Sequence, residues 1–290
     1  MDAIIGLGKA GCNIADKFSQ HEQYKIYKID TGLKGLKKNG IYDMPRQDSP
    51  ESYEAECPNM TNFFKNCPRE VLFVVGGSGD ISGASLAILQ HLKDREINVM
   101  YVRPDVNLLP EKKRRQEWTV FNIFQEYARS AMFKRLWLVD NTSVEKIIGN
   151  VPLIGYHQKL NDLIVSTFHM LTVYNHIESV TDTFSDPYMT HRISTLGISD
   201  MGGSSYKLFF PLYKTTDIRY YYAINKDRLE SDGTLFSHIK EQVKTSLTEE
   251  TKTSYGVFST HYEDDYVYVM CSTPVIQRHK TNDSVPEESS

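Results

Sequence analysis

Short apolar runs alternate with amphipathic stretches along the first half of the chain. The apolar runs predict strands, and the stretches between them, with apolar positions three and four residues apart, predict helices. The predicted strands are 3–5, 24–29, 71–75, 97–102 and 136–139, and the predicted helices are 12–19, 84–94 and 116–133. Strands separated by helices are typical of a parallel, doubly wound α/β sheet, in which ligands bind at the carboxyl ends of the strands.

The pattern changes after residue 155. Residues 156–180 carry apolar positions on more than one side, which predicts one long helix buried between two domains. Beyond it, strands are predicted at 206–212, 218–224, 255–260 and 266–271, and a helix at 235–247. The predicted organisation is an α/β domain (1–155), a central helix (156–180), a smaller α+β domain (181–277) and a polar, disordered tail (278–290).

Three further patterns carry less information. Residues 40–70 interrupt the alternation with a polar, proline-containing excursion, to which we assign no role. The tyrosine-rich runs 220–222 and 266–268 predict strand faces that are partly exposed at contacts between subunits. His169 and His176 lie on the predicted long helix, and packed or capped side chains are favoured over a metal pair because no third ligand is evident.

Composition narrows the class of protein. With 290 residues, 40% of them apolar and 24% charged, the chain is typical of a globular protein with a sizeable core. A formal net charge of −4 argues against general nucleic-acid binding. No apolar run reaches membrane-span length, and the first residues do not resemble a signal peptide, so we expect a cytoplasmic protein without membrane contact. The four cysteines match no zinc pattern, which favours reduced thiols.

Two glycine-rich turns each follow a predicted strand and precede a helical segment. The first has the pattern G-x-G-x-x-G at Gly6, Gly8 and Gly11, and the second spans 76–83. Glycine lets the backbone approach a phosphate closely, and the N–H groups at a helix N-terminus attract it. Two such turns favour a nucleoside di- or triphosphate held from two sides, although each turn is also compatible with a purely structural role.

The order of motifs resembles the tubulin/FtsZ superfamily over roughly residues 1–275. The run 6–13 is similar to the first nucleotide loop of FtsZ, the run 77–83 stands in the place of the signature GGGTG[ST]G, and the Asn-Asp pair 161–162 opens the long helix. The resemblance implies that residues 1–155 bind GTP or GDP with Mg²⁺. It assigns nucleotide contacts to Gly6, Gly8, Gly11, Asn13, Asp30, Gly77, Ser78, Gly79, Asp80, Ser82, Gly83, Glu111, Arg115, Asn141, Tyr156 and Asn161.

The second turn departs from the family pattern. Ser78 and Ile81 replace glycines, and Asp80 replaces a threonine. A β-branched residue disfavours the backbone that glycine permits, and a carboxylate repels phosphate unless a metal lies between them. Asp80 is therefore a candidate Mg²⁺ ligand, with a helix N-cap as the structural alternative. A loop that has lost ordinary GTP binding is the other interpretation, and the family's third loop has no clear counterpart within 40–70.

The segment after the long helix carries Asp182 and Asp186. In the family, acidic residues at this place enter the nucleotide pocket of the next subunit and orient water, so that hydrolysis requires assembly. Both residues are candidate catalytic acids, with Asp186 preferred, and both could instead simply end the helix. Head-to-tail contacts of this kind do not close, and they generate filaments.

Three functions remain open. The first is a GTP-binding, filament-forming protein whose hydrolysis is completed by the adjacent subunit. The second is a tubulin-like scaffold that assembles without hydrolysis. The third is an NAD(P)-binding Rossmann oxidoreductase, for which Asp30 stands at the spacing of a ribose ligand. The tail is a candidate adaptor-binding segment, but its sequence identifies no partner.

Overall fold

The computed structural model describes residues 1–33, 40–203 and 205–278. The predicted tail lies outside these residues from position 279 onward. The strands are β1 Ala3–Leu7, β2 Lys25–Asp30, β3 Ile41–Asp43, β4 Glu70–Gly76, β5 Glu96–Arg103, β6 Arg135–Asp140, β7 Thr181–Asp182, β8 Ile193–Ser199, β9 Tyr206–Leu208, β10 Asp217–Asn225, β11 Lys252–Thr260 and β12 Tyr266–Thr273. The helices are α1 Gly8–Phe18, α2 Pro50–Ala55, α3 Ser85–Gln90, α4 Glu111–Arg129, α5 Asn141–Ile148, α6 Tyr156–Tyr174, α7 Lys226–Ser231 and α8 Leu235–Thr245.

The predicted parallel, doubly wound sheet is confirmed. Its strands follow the order β3-β2-β1-β4-β5-β6, and every pair in this run is parallel. One face packs against α3 and α4, and the other packs against α1 and α6. The order reverses between β1 and β4, which is the place where open α/β sheets bind ligands.

The second half of the chain extends this sheet. β6 pairs in parallel with β8 from Leu136↔Ile193 to Leu138↔Thr195, and the order continues as β8-β12-β10-β11-β7. β12 is antiparallel to both β8 and β10, so β10 and the parallel β11 again run in the direction of β6. The α/β fold with a smaller C-terminal α+β part is therefore present, with both parts sharing one continuous sheet. The residue boundaries between domains stay predictions.

The long helix is shorter than predicted. α6 ends at Tyr174, whereas the apolar pattern extends to position 180. Ile177 and Val180 continue that pattern, but their side chains are 47% and 61% exposed. Because neither is buried, they add no packing energy that would prolong the helix.

The prediction of partly exposed strand faces holds for the run 266–268, which lies on β12 with Tyr266 44% exposed, but only in part for 220–222. Tyr220, Tyr221 and Tyr222 lie on a strand, but all three are fully buried rather than exposed at a subunit contact. They pack on both faces of the sheet, in two different apolar clusters. Within the described residues, no helix is long and apolar enough to cross a membrane.

The excursion at 40–70 covers one face of the sheet. Its buried side chains Met60 and Phe64 join the cluster formed with α3 and α4, and Phe63 packs edge-on against Tyr27. Its prolines therefore interrupt regular structure without making the segment peripheral to the core. α2 begins directly after Ser49, whose hydroxyl accepts a hydrogen bond from the N–H of Ser52.

Candidate nucleotide site

The first glycine turn is shaped by close backbone contacts. A Cβ on Gly6 would lie 2.3 Å from the carbonyl oxygen of Gly11, and one on Gly11 would lie 2.3 Å from that of Val74 in β4. Gly8 begins α1 with a φ of +68°, which side-chain-bearing residues rarely adopt. The three glycines thus bring the N-terminus of α1 directly against the end of β1 and β4.

A buried thiol fastens this turn to the neighbouring strand. Cys12 Sγ donates to the carbonyl oxygens of Gly6 at 3.4 Å and Ile29 at 3.6 Å. Burial raises the pKa of the Cys12 thiol to about 12, with a smaller contribution from the charge of Asp30. The thiol therefore stays protonated and acts as a structural donor, a role that we did not predict from its spacing.

The second glycine turn connects β4 to the 3₁₀ helix Asp80–Ala84. A Cβ on Gly77 would lie 1.7 Å from Tyr101 Oη, and one on Gly83 would lie 2.1 Å from the carbonyl oxygen of Pro50. The buried Ser82 donates its hydroxyl to the carbonyl oxygen of Gly79 at 2.6 Å. These contacts fix the turn, and they occupy the Ser82 hydroxyl within it.

The two turns touch each other. β1 and β4 are neighbours, with Leu7 paired to Val75, so both turns leave the same edge of the sheet. A Cβ on Gly8 would lie 2.8 Å from Ile81 Cγ2. The structure therefore brings the two predicted phosphate turns into one crevice, and it places the Ile81 side chain over Gly8.

Helix α4 supplies charges next to the second turn. Lys113 Nζ lies 2.5 Å from Asp80 Oδ1, so the predicted Mg²⁺ ligand is already paired with a cation. Glu111 and Arg115 pair with each other at 2.5 Å, and both are largely exposed. Among the residues that the structure describes, no cluster of three or more His, Cys, Asp or Glu side chains is arranged to hold a metal ion. Metal binding by Asp80 stays a prediction.

Three further predicted contacts lie in the first turns of helices α5 and α6. Asn141 begins α5, behind the N-cap Asp140, whose carboxylate accepts from the backbone N–H and hydroxyl of Ser143. Tyr156 and Asn161 lie in the first turns of α6, and burial raises the pKa of Tyr156 to about 12, with help from Glu145.

Asn13 and Asp30 reach the same edge from two other elements. Asn13 is exposed on α1, which packs against α6 through a 2.7 Å ion pair between Lys17 and Asp162. Asp30 ends β2, where its carboxylate accepts from the N–H of Thr31 at 2.8 Å. Because Ile29 pairs with Leu7, Asp30 lies beside the first turn. A nucleotide contact by either residue stays a prediction.

A cavity of about 450 Å³ lies beside the second turn rather than between the two turns. Ser82, Gly83 and Arg115 line it, together with apolar side chains of α3 and α4. Three predicted nucleotide residues thus line this cavity, and no residue of the first turn does. Lys112 and Gln116, which we did not predict from the sequence, line the same cavity.

The two acidic candidates differ in their surroundings. The Asp182 carboxylate accepts from the Ser179 hydroxyl and, at 3.1 Å, from the N–H of Phe184, so it holds a turn. Asp186 is exposed, and its backbone carbonyl accepts from Lys252 Nζ at 3.4 Å. The Asp186 loop is thus positioned through its backbone.

Neighbouring contacts fix the same loop. Arg219 Nη2 donates to the carbonyl oxygen of Ser185 at 2.7 Å, and Arg219 Nε lies 3.6 Å from the buried carboxylate of Asp217. The ring of Phe184 packs over Gly256, where a Cβ would lie 2.4 Å from the ring. Sequence reasoning missed Arg219, because its contact joins positions far apart in the chain.

The acidic loop and the glycine turns lie at opposite edges of the sheet. Lys252, which contacts the Asp186 carbonyl, is the first residue of β11, and β11 runs in the direction of β1 and β4. α6 runs parallel to α1 between the two edges, and its 19 residues span about 28 Å. One chain therefore does not bring Asp182 or Asp186 to its own glycine turns.

No protein-family model and no curated protein matches this sequence. Similarity appears in the solved structures. The fold matches an empty FtsZ dimer from M. jannaschii with a TM-score of 0.67 at 11% identity, covering 93% of this chain and 87% of that one. It matches a four-stranded filament model of TubZ-Bt with a TM-score of 0.69 at 14% identity, covering 93% and 85%.

A third match is the GTPγS-bound protofilament of CetZ2 from Haloferax volcanii. Its TM-score is 0.66 at 14% identity, and the match covers 93% of this chain and 92% of that one. These similarities extend over nearly the whole of each chain. The protein has a divergent tubulin/FtsZ-like fold.

Proposed function

We propose that this protein binds GTP or GDP between its two glycine turns and assembles head to tail into filaments. The observation that carries the proposal is that both glycine turns leave the carboxyl ends of the neighbouring strands β1 and β4, at the switch point of the sheet. Backbone N–H groups at the start of α1 provide donors for phosphate there. The structural neighbours support the assembly, because those named above include a TubZ filament and a CetZ2 protofilament.

In this proposal, Asn13 and Asn161 present amide groups to the base from the adjacent helices α1 and α6. Tyr156 provides an aromatic surface beside them, and Asp30 faces the ribose from the end of β2. An amide side chain offers both a donor and an acceptor, which suits the edge of a guanine. A hydride-transferring dinucleotide enzyme is disfavoured, because that reading accounts for neither the second turn nor the opposed acidic loop.

Hydrolysis is proposed to take place between subunits. Asp186 is exposed on a loop that Arg219 and Lys252 fix through backbone carbonyls, so its carboxylate is available to a neighbouring molecule. When one subunit stacks on the next, this carboxylate orients a water molecule toward the terminal phosphate. Orientation and charge placement supply most of the catalysis in phosphoryl transfer. Asp182 supports the same loop through its turn.

One observation favours a second candidate, the scaffold that assembles without hydrolysis. Ile81 lies over Gly8, and Asp80 places a carboxylate at the second turn. Both features would lower nucleotide affinity if they stayed in place. Both candidates assemble into filaments, but only the first hydrolyses GTP.

Sedimentation with parallel phosphate release separates these functions. Purified protein is centrifuged with GTP, GDP, a non-hydrolysable GTP analogue or no nucleotide. We expect polymer that requires GTP, with phosphate release rising above a critical protein concentration. Polymer without nucleotide or turnover would establish the scaffold, and the absence of both polymer and guanine-nucleotide binding would refute the proposal.

A further inference from the structure

Two side chains from one turn of α4 contact the successive residues Gly79 and Asp80 of the second glycine turn. Lys113 Nζ lies 2.5 Å from Asp80 Oδ1, and Gln116 Nε2 donates to the carbonyl oxygen of Gly79 at 2.8 Å. Lys113 Nζ also donates to Gln116 Oε1 at 3.2 Å, which joins the two contacts. The helix therefore controls both the backbone of the turn and the charge next to it.

The charge matters because a lone carboxylate in this position repels phosphate. A divalent cation between them would remove the repulsion, and such a cation takes oxygen ligands. Here the Asp80 Oδ1 oxygen is instead engaged by the ammonium group of Lys113. The residues at the turn suit an ammonium cation better than a protein-held metal.

We propose that Lys113 is the cation of this turn: it neutralises Asp80 and allows GTP to bind without a divalent metal. The proposal rests on the proposed function, because it assumes that the turn faces the phosphates of a nucleotide. Side-chain exposures of 30% for Lys113 and 41% for Asp80 leave both groups accessible to an arriving anion. Gln116 is a positioning residue, since its side-chain amide donates to the carbonyl oxygen of Gly79 and accepts from Lys113.

Calorimetric titration of GTP, with Mg²⁺ and with EDTA, tests this assignment on the full chain. The wild-type affinity should differ less than about threefold between the two conditions. Lys113→Met should lower the affinity in EDTA by about tenfold or more, because the carboxylate is then unscreened. Mg²⁺ should restore much of that loss, because Asp80 is then free to bind it.

The double variant Asp80→Asn with Lys113→Met removes both charges, and it should regain affinity in EDTA relative to Lys113→Met alone. Lys112→Met is the matched control, since Lys112 lines the cavity beside the second turn. Its GTP affinity should equal that of the wild type. Because the ion pair is partly exposed, the melting temperature should change little in every variant.

Two results would overturn the assignment: wild-type binding that weakens tenfold or more in EDTA, or a Lys113→Met variant with unchanged affinity and unchanged metal dependence. A wild-type protein that binds no GTP with or without Mg²⁺ would refute the proposed function as well. These outcomes are distinguishable, because the first two require measurable wild-type binding.

Discussion

At the carboxyl edge of the sheet, the candidate site is built from backbone packed against backbone. An added Cβ at Gly6 or Gly11 would meet a carbonyl oxygen at 2.3 Å. At the opposite edge, the Asp186 loop is held by long side chains, through the hydrogen bonds from Arg219 and Lys252. An end of the sheet built from close glycine contacts tolerates almost no added side chain, whereas a loop held by long side chains can be weakened one contact at a time.

The largest effect should follow from filling the glycine crevice. Gly8→Val places a branched side chain at a positive φ and against Ile81, and we expect GTP affinity to fall by about 100-fold or more. Titration calorimetry measures this loss. Gly202→Val is the control, because Gly202 has a φ of +72° but open space around it. If both variants lost the same affinity, the cause would be backbone strain at a positive φ rather than the filling of the space between the two turns.

At the opposite edge, Asp186→Ala should leave GTP affinity unchanged and slow phosphate release in assembled protein by about tenfold to 100-fold. The slowed hydrolysis should also stabilise the filaments. Asp182→Ala is informative beside it, because the Asp182 carboxylate holds the turn before Phe184. We expect Asp182→Ala to lower the melting temperature, which Asp186→Ala should not do. Unchanged turnover in polymers of Asp186→Ala would remove this residue from the mechanism.

A smaller effect should come from the residue that fixes the loop. Arg219→Lys keeps the charge beside the buried Asp217 but loses the forked geometry that reaches the Ser185 carbonyl. We expect turnover per assembled subunit to fall about fivefold, with GTP affinity unchanged. Phosphate release normalised to pelleted protein measures it. A fall in GTP affinity without a fall in turnover would contradict this role, because it would show that Arg219 acts on the glycine turns rather than on the Asp186 loop.

The free energy of unfolding should depend weakly on pH through His169, which lies on α6. Burial, aided by the charge of the stacked His21, lowers the pKa of His169 to about 4. The neutral ring is therefore favoured in the folded protein, and its contribution to stability is present above about pH 6.5 and is lost as the pH falls toward 4. After allowance for partial exposure, we expect a loss of about 0.5–1 kcal/mol.

Urea unfolding at pH 7 and pH 4.5 checks this prediction. His169→Gln should reduce the difference in unfolding free energy between the two pH values, whereas substitution of the exposed His238 should not. An identical pH dependence in wild type and His169→Gln would show that titration of this ring does not contribute to stability.

The three-residue parallel strand β3 lay in the unassigned segment 40–70. The strands β1, β2, β4, β5 and β6 were predictable because they are short, apolar and bounded by glycine or polar residues. The central strand β8 was not, since it carries Ser194 and Thr195 in the core. Ser194 accepts a hydrogen bond from Arg135, and Thr195 donates to the carbonyl oxygen of Leu138. These bonds to neighbouring strands form only in the folded sheet, so a local sequence pattern does not reveal a buried strand there.

The same limit applies to the site. The glycine turns were predictable because their chemistry is local, as the strand, the turn and the helix follow one another. Lys113 and Arg219 were missed because they act on residues 33 and 34 positions away. Only the packing of α4 on the second turn, and of β10 beside the Asp186 loop, brings these groups together.

Mixed polymers test most directly the central claim that the site is completed by two subunits. Gly8→Val should lack bound GTP but present an intact Asp186, and Asp186→Ala should bind GTP but lack the acid. The account predicts that copolymers of the two variants release phosphate faster than the sum of the separate proteins. Copolymers that pellet with both variants but release phosphate no faster than that sum would contradict it.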